Sequence, residues 1–388
     1  MDITIQPGKL SGKIAAIPSK SQAHRLLICA ALADAPTELA CPDTNRDIKA
    51  TADCLNALGA IINRTETGYF VEPIDHVPNF AILNCCESGS TLRFMLPIAG
   101  ALGVDAIFRM EGRLPQRPLS PLWEEMERMG CTLSRPTEDT IRCQGRLHCG
   151  NYSIDGGVSS QFITGLLFAL SLVPGESHLE ITGKIESRPY IDMTKKAMAL
   201  FGAPHYHTPG KINVEGDWSN GAFFLAAKAL GNDIDITNLE PESPQGDRAV
   251  VDFLNQLEGR ATVDAAQTPD LVPILAVVAG AKQGAVFTNA GRLRLKETDR
   301  LVTTAALINN LGGRAQINGD SLIVEGTGYT GGTVDATNDH RIAMSAGIAA
   351  TVCTEPVTVL NADSVQKSYP RFWDEYRRLG GSYEQYLR

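Results

Sequence analysis

One kind of segment occurs six times along the chain: a short polar or charged cluster followed directly by an apolar run of helical length. The copies share this pattern but no literal sequence, and they read SKSQAHRLLICAALA from residue 19, ESGSTLRFMLPIAGAL from 87, GVSSQFITGLLFALSL from 157, GDWSNGAFFLAAKAL from 216, QTPDLVPILAVVAGA from 267 and ATNDHRIAMSAGIAA from 336. Each begins with residues typical of a helix N-cap, and the residues that follow are too apolar for a helix on the protein surface. We therefore predict six buried helices with polar first turns.

Six amphipathic segments alternate with the buried ones, and each reaches a Gly just after its last apolar residue. They read DCLNALGA, EEMERMGC, KKAMALFGA, DFLNQLEG, ALINNLGG and EYRRLGG. A Gly in this place is typical of a helix C-cap, and β-rich stretches such as SLIVEGTGY follow. Because wholly apolar helices need sheets to cover them, the pattern predicts an α/β fold with buried helices inside and sheets outside.

Length and composition fit two domains of three repeat units each. The chain has 388 residues, of which 43% are hydrophobic, and its net charge of −9 argues against nucleic acid or an anionic membrane as a partner. The start MDITIQPGKL has no signal-peptide pattern, so a cytoplasmic location is expected. Nine cysteines without CxxC spacing favour reduced thiols and predict no metal site.

Charged residues are concentrated at the starts of the predicted buried helices. These residues are Lys20, Arg25, Arg93, Asp270, His340 and Arg341. A helix N-terminus carries about half a positive charge and unpaired N–H donors. If the six starts converge on one face, that face attracts anions.

The stretch LRLKETDRLV, residues 293–302, places Lys296, Glu297, Asp299 and Arg300 within five positions. Two interpretations stay open for it. The acidic residues and Thr298 are suited to cap or charge the first turn of an ordinary helix. Alternatively, the four charges belong to a binding site, with Asp299 orienting a neighbouring Arg.

Several motifs occur in an order that resembles the enolpyruvyl transferases, over residues 7 to 374. They are PSKSQAHR, RPL, VSSQFITGLL, SRPYIDMT, VEGDWS, LKETDR, NDHRIAM and QKSYP. The resemblance implies two similar domains, each of three βαβαββ units, in an inside-out α/β barrel arrangement. It assigns residues 21–215 to the N-terminal domain and residues 1–20 with 216–388 to the C-terminal domain, with crossovers near 19–21 and 215–217.

Within this family the motifs are similar to those of members that use shikimate 3-phosphate as the acceptor. The resemblance implies transfer of the enolpyruvyl group of phosphoenolpyruvate to the 5-hydroxyl of shikimate 3-phosphate. It also implies release of phosphate, no metal or organic cofactor, and a monomer. Both substrates are small anions, which agrees with the predicted positive face. The herbicide glyphosate occupies the phosphoenolpyruvate site in this family, and Gly89 matches the Gly that leaves room for it.

The resemblance also assigns roles position by position. Phosphoenolpyruvate is assigned to Lys20, Gly89, Arg117, Gln161, Arg300, His340, Arg341 and Lys367. Shikimate 3-phosphate is assigned to Lys20, Ser21, Arg25, Ser159, Ser160, Gln161, Ser187, Asp270 and Lys296. The reaction removes a proton from the 5-hydroxyl and moves protons to and from C3 of the enol, and each transfer needs a positioned donor or acceptor. We expect Asp270 to act at the hydroxyl and Glu297, with Lys20, at C3.

Two other functions agree less well with the sequence. The sister enzymes that use UDP-N-acetylglucosamine carry a reactive Cys in a mobile loop, and the matching loop here, MEGRLPQRPLSP, has none. A non-catalytic repeat protein that binds anions would be expected to have lost one of Lys20, Asp270, Glu297 or Arg341, and all four are present.

Three positions depart from what the family usually shows. Glu87 stands where Asn is common, Arg292 stands where a neutral residue is common, and IPSKS replaces the more usual PGSKS. Glu87 adds an anion near the expected phosphoenolpyruvate pocket. Unless Arg93 or Lys20 pairs with it, this carboxylate is expected to weaken binding there.

Overall fold

A computed structural model describes residues 1–386. That part of the chain forms twelve α-helices and twenty strands. The helices are α1 Lys20–Ala31, α2 Arg46–Ala57, α3 Gly89–Leu102, α4 Leu122–Arg128, α5 Ser160–Leu170, α6 Arg188–Leu200, α7 Trp218–Ala229, α8 Val250–Gln256, α9 Val272–Ala281, α10 Arg300–Asn310, α11 His340–Ala349 and α12 Phe372–Arg378.

The strands are short and lie between the helices. They are β1 Asp2–Gln6, β2 Ser11–Ala15, β3 Thr37–Ala40, β4 Ile61–Arg64, β5 Gly68–Glu72, β6 Phe80–Asn84, β7 Asp105–Arg109, β8 Cys131–Ser134, β9 Thr140–Gly145, β10 Asn151–Asp155, β11 His178–Thr182, β12 Lys211–Asn213, β13 Asp233–Thr237, β14 Ala261–Asp264, β15 Ala285–Thr288, β16 Arg314–Asn318, β17 Ser321–Glu325, β18 Gly332–Asp335, β19 Val357–Leu360 and β20 Ser382–Tyr386.

The chain divides into two compact units. The N-terminal unit is Pro18–Glu215, and the C-terminal unit combines Met1–Ile17 with the residues from Gly216 onward. The division falls between Ile17 and Pro18, slightly before the expected one after residue 20. Ser19 N–H donates to the Glu215 carbonyl at 2.8 Å, which ties the start of α1 to the end of the N-terminal unit.

All six predicted buried helices form, and they are α1, α3, α5, α7, α9 and α11. In α9, for example, every residue from Val272 to Gly280 is buried. Close packing between two of these helices depends on a missing side chain. An added Cβ on Gly165 of α5 would come within 2.1 Å of the Arg93 carbonyl in α3, so only Gly allows this approach. Each unit has its own hydrophobic core.

The N-terminal unit contains two four-stranded sheets, in the orders β12-β3-β5-β4 and β6-β7-β9-β8, and a two-stranded pair of β10 and β11. Strands β6 and β7 are parallel, while β7 with β9 and β8 with β9 are antiparallel. This is the βαβαββ pattern, with α3 between the two parallel strands. The first sheet takes its edge strand β12 from the end of the unit.

The C-terminal unit repeats this set of sheets, in the orders β14-β15-β17-β16, β18-β19-β1-β20 and β13-β2. Strand β1 lies between β19 and β20, antiparallel to both. Three complete βαβαββ copies per unit were expected, and that expectation is wrong for the two-stranded sheets. In the N-terminal unit the reason is that β12, the strand after α6, pairs with β3 instead of extending the β10 and β11 sheet.

Most of the predicted helix ends are confirmed. Gly59, Gly130, Gly202, Gly312 and Gly380, which follow five of the amphipathic helices, have a positive φ. The prediction is wrong after α8, because Gly259 is absent from the residues with positive φ. None of the helices in residues 1–386 is both long and apolar enough to cross a membrane.

Candidate active site

One buried guanidinium holds three acidic residues of the C-terminal unit. Arg300, the first residue of α10, has a side chain that is only 1% exposed. It donates to Asp270 at 2.7 Å, to Glu297 at 2.5 Å and to both carboxylate oxygens of Asp339 at 2.7 and 3.2 Å. The structure therefore brings together the two carboxylates that were expected to move protons.

Three cations of this unit, counting Arg300, converge on Asp270. Lys296 Nζ lies 3.0 Å and Arg341 Nη2 lies 3.5 Å from its carboxylate. The side chains of Asp270, Lys296 and Glu297 are 19%, 20% and 21% exposed, whereas Arg341 is 6% exposed. Asp270, Lys296 and Glu297 are thus within reach of a ligand, while Arg300 supports them from inside the protein.

These pairings set the protonation of the cluster. Burial raises the pKa of Asp270, but Lys296, Arg341 and Arg300 outweigh it and hold that pKa well below its usual value. Burial lowers the pKa of Lys296, and Asp270 raises it, with a net value below that of an ordinary lysine. Asp270 is therefore a carboxylate at neutral pH.

The helix-capping interpretation of LRLKETDRLV is correct for one of its charges. The Asp299 carboxylate accepts from Val302 N–H at 3.2 Å and so caps α10. Its other oxygen accepts from Arg294 at 3.1 Å, which fits the expectation that Asp299 orients a neighbouring Arg. The remaining charges, Lys296, Glu297 and Arg300, belong to the Asp270 cluster.

Asp339 is a component that sequence reasoning missed. It is fully buried, caps α11 by accepting from Arg341 N–H at 3.0 Å, and receives a hydrogen bond from Thr298 at 3.0 Å. Its place at a helix start suggests a cap, but its pairing with Arg300 follows only from packing.

Two expected phosphoenolpyruvate ligands lie close to Asp339 in the sequence or against its neighbour. His340 is 2% exposed, and Lys367 donates to the Asn338 carbonyl at 2.7 Å.

A hydrogen-bonded path leads from Arg341 to a second buried carboxylate. Arg341 donates to the Ser219 hydroxyl at 2.7 Å, and Ser219 donates to Asp247 at 2.5 Å. Asp247 is 2% exposed. Burial and then Asp270 raise the pKa of Asp247 to about 6, against lowering by Arg341 and Ser219.

This raised pKa predicts a pH-dependent stability. The native state binds more protons than the unfolded state between the ordinary Asp pKa and 6, so stability is lost as pH rises through that window. From about pH 5 to about pH 7.5, the wild type should lose about 1.4 kcal/mol of unfolding free energy relative to Asp247→Asn. Denaturant unfolding of both proteins at the two pH values measures it. Asp235→Asn, on an exposed strand position, is the control, and a difference independent of pH would contradict the prediction.

In the N-terminal unit, Lys20 is the first residue of α1, directly after the N-cap Ser19. Its Nζ lies 2.9 Å from the Asp47 carboxylate in the first turn of α2, and the two side chains are 17% and 15% exposed. Sequence reasoning missed Asp47, since an acidic residue in a first helical turn is common in any helix. The ion pair holds Lys20 at a partly accessible helix start.

Two guanidinium groups lie against the first turn of α3. An added Cβ on Gly89 would lie 2.7 Å from Arg117 Nη1 and 3.1 Å from Arg93 Nη1, so both guanidinium groups lie against this Gly. Gln161 of α5 accepts from Arg93 at 2.6 Å and donates to Ser90 at 2.9 Å. The expected phosphoenolpyruvate residues Gly89, Arg117 and Gln161 are therefore brought together.

Arg25, which is expected to bind shikimate 3-phosphate, is almost completely buried. It is 2% exposed and donates to Thr194 at 2.8 Å, to the Ser21 carbonyl at 2.6 Å and to the Tyr190 carbonyl at 2.9 Å. Burial lowers its pKa to about 10, which still leaves it cationic. Arg25 thereby links α1 with α6.

The serines assigned to shikimate 3-phosphate lie at helix starts. Ser159 caps α5, Ser160 follows it, and Ser187 precedes α6 with a φ of 54°. The buried Ser160 and Ser187 are 5% and 3% exposed. Hydroxyl groups at helix starts are suited to donate to a phosphate.

Glu87 is one of the departures from the family pattern, and its side chain extends toward the loop that contains Gly112. An added Cβ on Gly112 would come within 1.8 Å of Glu87 Oε1, so the carboxylate packs on that Gly. Lys20 is paired with Asp47, and Arg93 donates to Gln161 and to the Pro118 carbonyl. A second departure, Arg292, is close enough to Lys296 to lower the pKa of that lysine.

Comparison with known proteins identifies the family. Residues 5–376 match the sequence profile described as EPSP synthase (3-phosphoshikimate 1-carboxyvinyltransferase). Proteins named 3-phosphoshikimate 1-carboxyvinyltransferase from Clostridium beijerinckii and Clostridium acetobutylicum are 37% and 36% identical, each over 99% of this chain and over 99% and 98% of their own lengths.

Solved structures agree on the fold. EPSP synthase from Acinetobacter baumannii superposes with a TM-score of 0.79 at 21% identity, covering 99% of this chain and 100% of that one. The enolpyruvyl transferase NikO from Streptomyces tendae gives 0.76 at 16% identity, with 99% and 98% covered. The profile match over most of the chain and the full-length relatives together establish that this protein belongs to the EPSP synthase family.

Proposed function

We propose that the protein transfers the enolpyruvyl group of phosphoenolpyruvate to the 5-hydroxyl of shikimate 3-phosphate, giving 5-enolpyruvylshikimate 3-phosphate and phosphate. The observation that carries the proposal is the Arg300 cluster, in which Asp270 and Glu297 lie 2.7 and 2.5 Å from one buried guanidinium. Two positioned carboxylates supply the proton transfers that an addition and an elimination require.

In this mechanism Asp270 accepts the proton of the 5-hydroxyl as the oxygen attacks C2 of the enol. Glu297, with Lys20, gives a proton to C3 and removes one when the tetrahedral intermediate collapses and phosphate leaves. Lys296 lies 3.0 Å from Asp270 and binds the acceptor beside it. The fixed cations stabilise the charge on the departing phosphate, because they are already in place before the reaction.

The ligand assignments implied by the resemblance belong to this proposal. Phosphoenolpyruvate is bound by Lys20, Gly89, Arg117, Gln161, His340, Arg341 and Lys367. Ser21, Arg25, Ser159, Ser160 and Ser187 bind shikimate 3-phosphate with Asp270 and Lys296. Arg300 was also assigned to phosphoenolpyruvate, and with 1% of its side chain exposed it acts mainly by holding the carboxylates.

Some finer expectations belong to the same proposal. Each unit is proposed to have the inside-out barrel arrangement, with α1, α3 and α5 or α7, α9 and α11 inside the sheets. Phosphoenolpyruvate and shikimate 3-phosphate are proposed as the only partners, without nucleic acid or membrane. The protein is proposed to be cytoplasmic and monomeric. Light scattering of the purified protein would measure its molar mass in solution and so test the monomer.

The direct test is a phosphate-release assay with phosphoenolpyruvate and one acceptor at a time. Shikimate 3-phosphate should support turnover, and UDP-N-acetylglucosamine should not. Turnover with the UDP sugar alone would support the sister activity instead. Binding of both anions without turnover would support a non-catalytic protein.

Glyphosate provides a further prediction, because it should compete with phosphoenolpyruvate at Gly89. In Gly89→Ala the new methyl would meet Arg117 at 2.7 Å and displace it. The longer inhibitor should suffer more than the smaller substrate, so its inhibition constant should rise roughly 10-fold to 100-fold, with a smaller rise in KM for phosphoenolpyruvate. Steady-state inhibition at varied phosphoenolpyruvate measures both.

The control for this substitution is Gly259→Ala, where an added Cβ meets no atom within 4 Å. Equal inhibition constants for wild type and Gly89→Ala would remove Gly89 from the pocket wall. Weak inhibition of both proteins would instead implicate the carboxylate of Glu87.

A further inference from the structure

His24 lies one helical turn beyond Lys20 in α1, and none of the roles described above uses it. Its side chain is 1% exposed. Its Nδ1 lies 2.7 Å from the Thr51 hydroxyl in α2, and its ring packs edge-on against Phe94 of α3 with centroids 6.2 Å apart. The imidazole is therefore enclosed by three helices of the N-terminal unit, two of which carry expected substrate ligands in their first turns.

A chain of short hydrogen bonds runs from this imidazole to the N-cap of α3. Thr51 Oγ1 lies 2.7 Å from Thr91 Oγ1, and Thr91 Oγ1 donates to Ser88 Oγ at 2.7 Å. Ser88 is the N-cap residue, and it also accepts from Thr91 N–H at 3.2 Å. Thr51 and Thr91 are fully buried and Ser88 is 1% exposed, so water does not replace these contacts.

The chain has one direction, because each hydroxyl has a single proton to donate. Thr91 gives its proton to Ser88, with a longer contact to the Asp47 carbonyl at 3.4 Å. Thr51 must then donate to Thr91, and the proton between His24 and Thr51 must come from His24 Nδ1. Burial, followed by Lys20 and Arg25, lowers the pKa of His24 well below its usual value, so the ring is neutral. Its single proton is on Nδ1.

The other ring nitrogen agrees with this assignment. Nε2 of His24 is buried without a hydrogen-bond partner among residues 1–386. A neutral imidazole whose proton is on Nδ1 carries only a lone pair at Nε2. The ring proton of His24 is thus on Nδ1, which faces the Thr51 hydroxyl as its acceptor.

We propose that His24, as the Nδ1–H tautomer, is a positioning residue that holds the first turn of α3 against α1 through the chain His24 to Thr51 to Thr91 to Ser88. The first turn of α3 carries Gly89, and α1 carries Lys20. The kinetic part of this inference rests on the proposed function, because it takes both residues as phosphoenolpyruvate ligands.

The tautomer is tested without any activity measurement. Long-range ¹H–¹⁵N spectra of the ¹⁵N-histidine-labelled full chain at neutral pH show which ring nitrogen of each histidine is protonated, and His24→Asn identifies the signal by its loss. An Nδ1–H pattern is expected. An Nε2–H tautomer or an imidazolium at this position would overturn the proposal, whatever the enzyme does with its substrates.

The positioning role is tested by pairs of substitutions. Thr51→Val removes the middle hydroxyl at nearly constant shape, and KM for phosphoenolpyruvate should rise by about tenfold. Thr51→Ser keeps the hydroxyl and should restore a value near that of the wild type. His24→Leu should behave like Thr51→Val, and His24→Asn, which retains an N–H donor, should be milder.

General loosening of this core is controlled by Cys54→Ala, a fully buried position of α2 outside the chain of hydroxyls. An equal rise in KM for Cys54→Ala, or an unchanged KM for Thr51→Val, would overturn the positioning role. Absence of turnover in the wild type would instead count against the proposed function, and the tautomer measurement would still decide the hydrogen-bond chain.

Discussion

Asn in place of Asp270 is expected to lower kcat by about 10²-fold to 10⁴-fold, the usual contribution of a positioned acid or base. The substitution keeps the shape of the side chain but removes the group that accepts the hydroxyl proton. It also leaves Lys296, Arg300 and Arg341 without the carboxylate that they share at 3.0, 2.7 and 3.5 Å. Single-turnover and steady-state phosphate release at saturating substrates would separate the chemical step from binding.

The matched control for this substitution is Asp252→Asn. Asp252 is exposed on α8 of the same unit. The control should retain the kcat of the wild type. A kcat for Asp270→Asn close to that of the wild type would exclude Asp270 as the base, and the role would then pass to another group.

Replacing Arg300 with Met should lower the unfolding free energy of the C-terminal unit by about 3–5 kcal/mol, because it leaves buried carboxylates without their cation. Asp339 is fully buried, so its charge has no access to water once Arg300 is gone. Activity should also fall steeply, since Asp270 and Glu297 lose the guanidinium that fixes them.

Tryptophan fluorescence can measure the unfolding of this unit. Among the three tryptophans, Trp218 and Trp373 lie in it. Denaturation followed by fluorescence in a Trp123→Phe background therefore reports its unfolding alone.

Arg294→Met provides the comparison for this measurement. Arg294 pairs with Asp299 at 3.1 Å, but its side chain is 38% exposed. An exposed pair of this kind contributes about 0–1 kcal/mol. Similar losses for the two substitutions would mean that the buried cluster is not a special source of stability.

The helices were largely predictable because their signals are local. N-cap residues, apolar periodicity and terminal glycines depend on neighbours within a turn or two, and five of the six buried helices have the expected side-chain cap. The exception is α9. Its N-cap position, Leu271, makes no side-chain hydrogen bond, and a 3₁₀ turn at Pro269–Leu271 precedes the helix. There the acidic side chain of Asp270 turns to Arg300 and Lys296 instead of capping.

The residue types of the site could also be predicted, but their partners could not. Four charges in five positions left a helix cap and a binding site both open, and only the resemblance to the enolpyruvyl transferases assigns Lys296, Glu297 and Arg300 to a site. Nothing local indicates that Arg300 pairs with Asp339, which is 39 residues away. Asp47 and Asp247 gave no signal either, because a single acidic residue near a helix start is ordinary.

By itself, the sequence determined the six buried helices, the polar residues at their starts, the family and the identity of the charged groups. The tertiary structure alone decided which charges pair, which are sealed from water and which stay accessible. A hydrogen bond requires its atoms to meet within a few tenths of an ångström. That precision comes from packing between segments distant in the chain, as at His24 and Thr51, 27 residues apart. Arg300 and Arg341 are both cations at the start of a helix, and only packing makes the first a sealed support with 1% exposure and gives the second its path to Asp247.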